Sequence, residues 1–289
     1  MKKNQMLLTR RQALISIASI AALSPIVALT GCGGGGSSAT NLDNSSGSGG
    51  SSSSGGSSTP TTNNGNWLSG GTQNMTANFP EDNIFANAST CTVELTGQQT
   101  EGPCYFDSDY LDDISAGQTG LPMMLCLQLI DSACNPLAGY EIEVWHCDVR
   151  GVYSADTSGA ADTRGFNSSF CSGNDSAALA SKWFRGIAVT DSSGRVNFKT
   201  CFPGWYSGRA IHIHFRVRQN NLDSLVSQFG FDDTFCDDIC STHSDYASRG
   251  TPNTHLTNDT VFGNDYAKYL FDLEQNQDGS LLGYKRIII

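Results

Sequence analysis

The sequence predicts an all-β fold, an antiparallel β-sandwich with long loops and little helix. Three observations predict it. There are several apolar or alternating runs of strand length, clusters of Gly, Asn, Asp and Ser fall between them, and sustained helical periodicity is absent. Residues 121–130, LPMMLCLQLI, form an apolar run of strand length. Residues 140–147, YEIEVWHC, alternate, with Ile142, Val144 and His146 on one face and Glu141, Glu143, Trp145 and Cys147 on the other. Residues 185–200, RGIAVTDSSGRVNFKT, read as two strands around an Asp-Ser-Ser-Gly turn, a hairpin signal. AIHIHFRVR (210–218) and LVSQFGF (225–231) read as further strands, and GYKRIII closes the chain with a β-branched run. Residues 176–183 carry at most a turn or two of helix, and no internal repeat stands out.

The sandwich is assigned to residues 72–289, and what precedes it reads differently. Lys2, Lys3, Arg10 and Arg11 lead into an apolar run from Ala13 to Leu29, which LTGC closes. A basic head, an apolar middle and a small-residue end make residues 1–31 an export signal. Its TRRQAL resembles a twin-arginine signal and LTGC resembles a lipoprotein box, in which Cys32 would carry lipid and hold the chain to a membrane. The 17-residue run is short for a transmembrane anchor, the competing reading. Residues 32–71 are then a linker, almost wholly Gly and Ser over 33–58, with a reach of about 25–30 Å. These features predict an exported, envelope-located protein tethered by lipid.

Net charge is −11 over the 289 residues and −15 once residues 1–31, with four basic and no acidic side chains, are removed. An acidic body excludes nucleic acid as a partner, because phosphates are held by Lys and Arg. Ten cysteines are many. With Cys32 assigned to lipid, the nine others (Cys91, Cys104, Cys126, Cys134, Cys147, Cys171, Cys201, Cys236 and Cys240) read as disulfides in an oxidising compartment. The odd number leaves at least one free or paired between chains. Cys236 and Cys240 also match half of a zinc site, without a second pair nearby.

The chemistry concentrates in PGWYSGRAIHIHF, residues 203–215. Residues two apart on a strand point the same way, so His212 and His214 form a two-nitrogen metal clamp with Ile213 on the other face. Tyr206 and Arg209 lie just upstream, after a Pro-Gly turn that can fold them over that face. VWHCDVRGVYS ends the earlier strand near Tyr153, and TEGPCYFD (100–107) supplies a turn before the first core strand. His146 shares a face with Ile142 and Val144 and reads as a core residue. His243 and His255 sit in loop-like sequence without evident partners.

Taken in order, EGPCYF, VWHCD with GVYS, FRG, and PGWYSGR with IHIHF closely resemble the intradiol ring-cleavage dioxygenases, the family of protocatechuate 3,4-dioxygenase and catechol 1,2-dioxygenase. The resemblance covers about residues 98–289, is strongest over 139–217, and is nearest to secreted members without a helical N-terminal domain. It implies a ferric ion, Fe(3+), held by Tyr153, Tyr206, His212 and His214, with Tyr206 and His212 axial and a hydroxide completing the set. Phenolate is a hard anionic donor suited to ferric iron, and two phenolates with one hydroxide cancel three positive charges. The resemblance further implies cleavage of a small aromatic diol by O2 to a cis,cis-muconate-type diacid. Tyr206 would leave the metal and accept a diol proton, and Arg209 would stabilise carbanion-like density on the ring. Only five residues separate Tyr206 from His212, so a short pocket wall and a wide mouth are expected, and residues 231–261 match the family only loosely.

Two other readings compete. One is a non-catalytic β-sandwich lipoprotein that binds a ligand or partner, since one fold hosts many functions. The other is a zinc hydrolase built on His212 and His214, which lacks a carboxylate or third histidine at usable spacing.

Overall fold

A computed structural model describes residues 66–86, 95–158 and 165–289, all within one unit, Ser53–Ile289. The proposed export signal, Cys32, the Gly/Ser stretch and Cys91 lie outside the described residues. Packing begins ahead of the Thr72 boundary: the Trp67 ring meets Phe235 edge-on, and Leu68 N–H donates to Gly279 C=O at 2.9 Å.

Among the described residues, eight strands form two four-stranded sheets. One sheet has the order β4 (Arg195–Cys201), β1 (Pro122–Ile130), β8 (Leu281–Ile288) and β7 (Asp272–Gln275). The other has the order β3 (Arg185–Val189), β2 (Glu141–Trp145), β5 (His212–Gln219) and β6 (Leu222–Gly230). The core lies between them, filled by Met123, Leu125, Leu127 and Leu129 on one side and by Ile142, Val144, Ile213, Phe215, Val217 and Phe229 on the other. Burial of these side chains, each contributing about 1.5–3 kcal/mol, drives the two faces together. On β1 the opposite face is buried as well, because Met124 and Cys126, with their β8 neighbour Leu282, pack with Phe85. That accounts for the apolar run without alternation.

Several expectations need correction. The hairpin read over 185–200 is an arch between sheets. Thr190 Oγ1 accepts from Tyr140 N–H and donates to Leu137 C=O, holding the end of β3 beside β2, whereas Gly194 C=O accepts from Leu129 N–H and delivers β4 to β1. The Asp191 turn between them crosses the gap of about 10 Å that separates packed sheets. The sandwich is otherwise antiparallel, but β1 and β8 run parallel. Hairpins are formed instead by β7–β8 and by β5–β6, where Asn220 and Asn221 both take positive φ (53° and 62°), a two-residue turn that matches strand twist.

Over 176–183 only Ala178–Ala180 winds into a 3-10 turn. Two short helices went unread: α1 (Ser168–Ser172) and α2 (Asp233–Thr242). The Asp232 carboxylate caps α2 by accepting from Thr234 and Phe235 N–H. The disulfide reading holds for Cys104–Cys171, and Cys134 is also bridged, but Cys126, Cys147, Cys201, Cys236 and Cys240 are buried thiols. They fill the interior as small apolar groups, and burial pushes their thiol pKa upward. His243 and His255 do have partners, Leu68 C=O at 3.0 Å and the Asp237 carboxylate at 3.1 Å.

Candidate functional site

The site lies on the outer face of the β3-β2-β5-β6 sheet. Alternation on β5 sends Ile213 into the sandwich core and His212 and His214 outward, both 2% exposed. Trp145, opposite His214 in register, stacks on its imidazole at 4.9 Å with the rings 6° from parallel.

Two loops bring the tyrosines over this face. The Asp148 carboxylate accepts from Arg150 and Val152 N–H and shapes the turn that leads to Tyr153. Gly151 has φ +79°, and a Cβ there would stand 2.1 Å from Trp205 C=O. Gly204 N–H donates to Asp148 C=O, and a Cβ on Gly204 would stand 2.4 Å from Val149 C=O. The Tyr153 and Tyr206 loops therefore touch backbone to backbone, which only glycine permits at these two points.

A third segment, 100–106, brings Gly102 against the His214 ring. The buried Arg185 guanidinium donates to Ser154 C=O (2.7 Å) and Cys104 C=O (2.8 Å), fastening this segment and the Tyr153 loop to the sheet. The Cys104–Cys171 bridge ties the same segment to α1, and Cys171 C=O accepts from Tyr153 N–H at 2.8 Å.

The four proposed ligands come together. His212 Nε2 lies 3.4 Å from Tyr153 Oη, 3.3 Å from Tyr206 Oη and 3.1 Å from His214 Nε2. His212 Nδ1 is 2.6 Å from Ala210 C=O, which can only accept. The proton is therefore on Nδ1, and Nε2 offers its single lone pair to three neighbours at once. One lone pair does not serve three partners. The O···N separations also exceed the usual O–H hydrogen bond of about 2.7–2.8 Å. Donor atoms about 2.0–2.1 Å from one ion, and 90–110° apart around it, would stand about 2.9–3.4 Å from each other. The arrangement fits a shared cation, with Tyr206 and His212 as neighbours at 3.3 Å and not the opposed, axial pair that the resemblance implies.

Electrostatics agree. Burial pushes the Tyr153 phenol well above its ordinary pKa and raises Tyr206 to about 12, although Arg209 pulls Tyr206 back. Burial, with Arg209 adding to it, holds His212 and His214 well below the usual imidazole value. Both imidazoles are therefore neutral donors across the physiological range. The two phenols ionise there only against strong positive charge, which a trivalent metal supplies. Among the described residues, no group of three or more His, Cys, Asp and Glu side chains is placed to hold a metal; this donor set depends on its tyrosines.

Arg209 does not make a surface salt bridge. Its Nε donates to Asp259 Oδ2 at 2.8 Å and its Nη2 to Gln228 Oε1 at 2.6 Å, with the side chain 14% exposed and Asp259 fully buried. His146 is a core residue, its nitrogens taken by Cys147 C=O (2.8 Å) and Thr200 Oγ1 (2.7 Å), and burial lowers its pKa to about 4. The sequence reading missed Gln228, Asp259 and the Trp145 stack. Gln228 could have been found, since it faces His214 across the β5–β6 pair.

A family model described as Dioxygenase matches residues 100–275, a stretch containing every side chain of this site. The chain belongs to the intradiol ring-cleavage dioxygenase family. Its fold is similar to that of an intradiol ring-cleavage dioxygenase from Tetranychus urticae, with a TM-score of 0.57 and 25% identity, covering 68% of this chain and 95% of that one. In sequence the family member is similar to a chlorocatechol 1,2-dioxygenase of Pseudomonas putida, 28% identical over 123 residues (36% of this chain, 40% of that protein). It is also similar to catechol 1,2-dioxygenase 1 of Acinetobacter lwoffii, 24% identical over 162 residues (47% and 46%). The match spans less than half the length of either curated relative.

Proposed function

We propose that this family member is an enzyme that cleaves a catechol-type diol between its two hydroxyl-bearing carbons. The reaction consumes one O2, and both oxygen atoms enter a cis,cis-muconate-type diacid. The diol supplies the electrons, so no external reductant is needed. The observation that carries the proposal is the convergence of two phenol oxygens and two imidazole nitrogens, 3.1–3.4 Å apart around His212 Nε2, on a buried sheet face.

In this reading Tyr153, Tyr206, His212 and His214 hold Fe(3+), which when bound draws electron density from the diol ring and opens it to dioxygen. The protein groups divide the remaining work. Tyr206, the partly exposed ligand, receives a diol proton on Oη as substrate enters. Tyr153, more deeply buried, stays in place. Trp145 keeps His214 in one orientation, and Ala210 C=O keeps the His212 proton on Nδ1. Arg209, held on two nitrogens, would stabilise negative charge on the ring. Phe170, 57% exposed and edge-on to Tyr206 with ring centres 6.1 Å apart, would offer the entering diol an apolar contact.

On sequence alone, the proposal extends to export through a twin-arginine signal and lipid attachment at Cys32, with residues 32–71 as tether. Oxygen uptake by the iron-loaded protein over a panel of catechols tests the activity. One O2 consumed per diol, with a ring-opened diacid as product, is expected. Iron-loaded protein that consumes no oxygen with any catechol would defeat the proposal.

A further inference from the structure

Asp259 contributes to the site from a segment with no sequence motif, the 3-10 turns between α2 and β7. Its carboxylate is fully buried and carries four hydrogen bonds. Oδ2 accepts from Arg209 Nε and from Ala210 N–H, both at 2.8 Å, and Oδ1 accepts from Val261 N–H (2.8 Å) and Phe262 N–H (3.1 Å). Ala210, gripped at its N–H, offers from its other side the carbonyl that fixes the Nδ1 proton of His212. The other oxygen holds the Phe262 backbone N–H, and the Phe262 ring lies 5.8 Å from the Arg209 guanidinium and 6.4 Å from the His212 imidazole.

We propose that Asp259 is a positioning residue that sets two site groups at once: the guanidinium of Arg209 by direct ion pairing, and the imidazole of His212 through the backbone of Ala210. The physical case rests on burial and connectivity. A carboxylate out of water needs its charge and lone pairs satisfied. Here every donor that satisfies it belongs either to the 209–210 stretch or to the loop carrying Phe262. Removing the negative charge leaves Arg209 without its counter-charge and frees it to reorient. It also loosens the Ala210 N–H, and with it the following carbonyl, so the His212 ring loses part of the constraint that aims Nε2 at the two phenols. The inference rests on the catechol-cleaving reading only for its kinetic arm; the metal-binding arm stands on the donor cluster.

The test compares wild type, Asp259→Asn, Arg209→Ala and the double variant, each checked for folding by thermal melting. Asp259→Asn keeps the shape and removes the charge. Expected are a fall in kcat of about 10- to 100-fold with KM within about threefold, the range for one charge-assisted hydrogen bond, and iron loss to a chelator at least tenfold faster. In the Arg209→Ala background the further loss in kcat should shrink to less than about threefold, while faster iron loss persists, because that effect runs through Ala210 and His212. Folded Asp259→Asn protein with wild-type kcat and wild-type iron retention would overturn the proposal. If wild type itself turns over no catechol, the retention arm decides alone: faster loss from Asp259→Asn upholds the placement of His212, and equal loss overturns it.

Discussion

Replacing Cys104 and Cys171 together by serine opens a bridge between residues 67 apart in sequence. In the chain-entropy account, closing a loop of that length restricts the unfolded chain by about 4 kcal/mol at 25 °C. For a folded unit of this size, that corresponds to a melting temperature lower by about 10 °C. The consequence should also reach the site. Cys171 C=O accepts from the N–H of Tyr153, and Cys104 follows Gly102, which lies against the His214 ring. The bridge therefore joins the segment that covers one histidine to the segment that holds one tyrosine. The assay is urea unfolding of both proteins, paired with iron retention against a chelator at a temperature where both are folded. We expect a loss of about 4 kcal/mol and faster iron release from the serine variant. A loss below about 1 kcal/mol together with unchanged iron release would refute the reasoning, since neither the restraint nor its coupling to the site would be present.

Other outcomes follow from single residues. Gly151→Ala forces a Cβ to 2.1 Å from Trp205 C=O at φ +79°, so it should destabilise by about 2–4 kcal/mol in urea unfolding and weaken iron retention. Phe170→Ala should raise KM for an unsubstituted catechol about three- to tenfold with kcat within twofold, in steady-state oxygen uptake. At the β7–β8 turn, burial acts to raise the Asp278 pKa, but hydrogen bonds from Ser280, Ala77 and Thr76 outweigh it and hold the carboxyl down to about 2. Because the folded value is depressed, its stabilisation is present above about pH 4 and is lost as pH falls through 2. After allowance for solvent screening it amounts to about 1 kcal/mol, so Asp278→Asn should melt below wild type at pH 6 and converge with it near pH 2.

The sheets were legible wherever a strand's pattern reported its surroundings. The alternation over 140–147 placed Val144 in the core and Trp145 on the site face. The apolar run at 121–130 marked a strand covered on both sides. What the sequence could not carry is which strands a turn connects. Asp191 and Gly194 specify a reversal whether the next strand pairs beside the last or crosses to the opposite sheet. Most of the site residues were legible because Tyr206, Arg209, His212 and His214 share one strand and the loop before it. Asp259, fifty residues beyond Arg209 in an Asn-Asp-Thr stretch, acquires its place only through tertiary closure. The cysteines misled for a different reason: an oxidising compartment favours bridges, but a buried thiol is also a compact apolar side chain, and five of them serve that way here.

The central claim is that Tyr153, Tyr206, His212 and His214 jointly bind one ferric ion. Adding Fe(3+) to metal-free protein while recording the visible spectrum tests it most directly. The account predicts a broad phenolate-to-iron absorption that saturates at one equivalent, weakens in Tyr206→Phe and vanishes in the Tyr153→Phe/Tyr206→Phe double variant. Absence of the band in wild type, or its survival in the double variant, would contradict it.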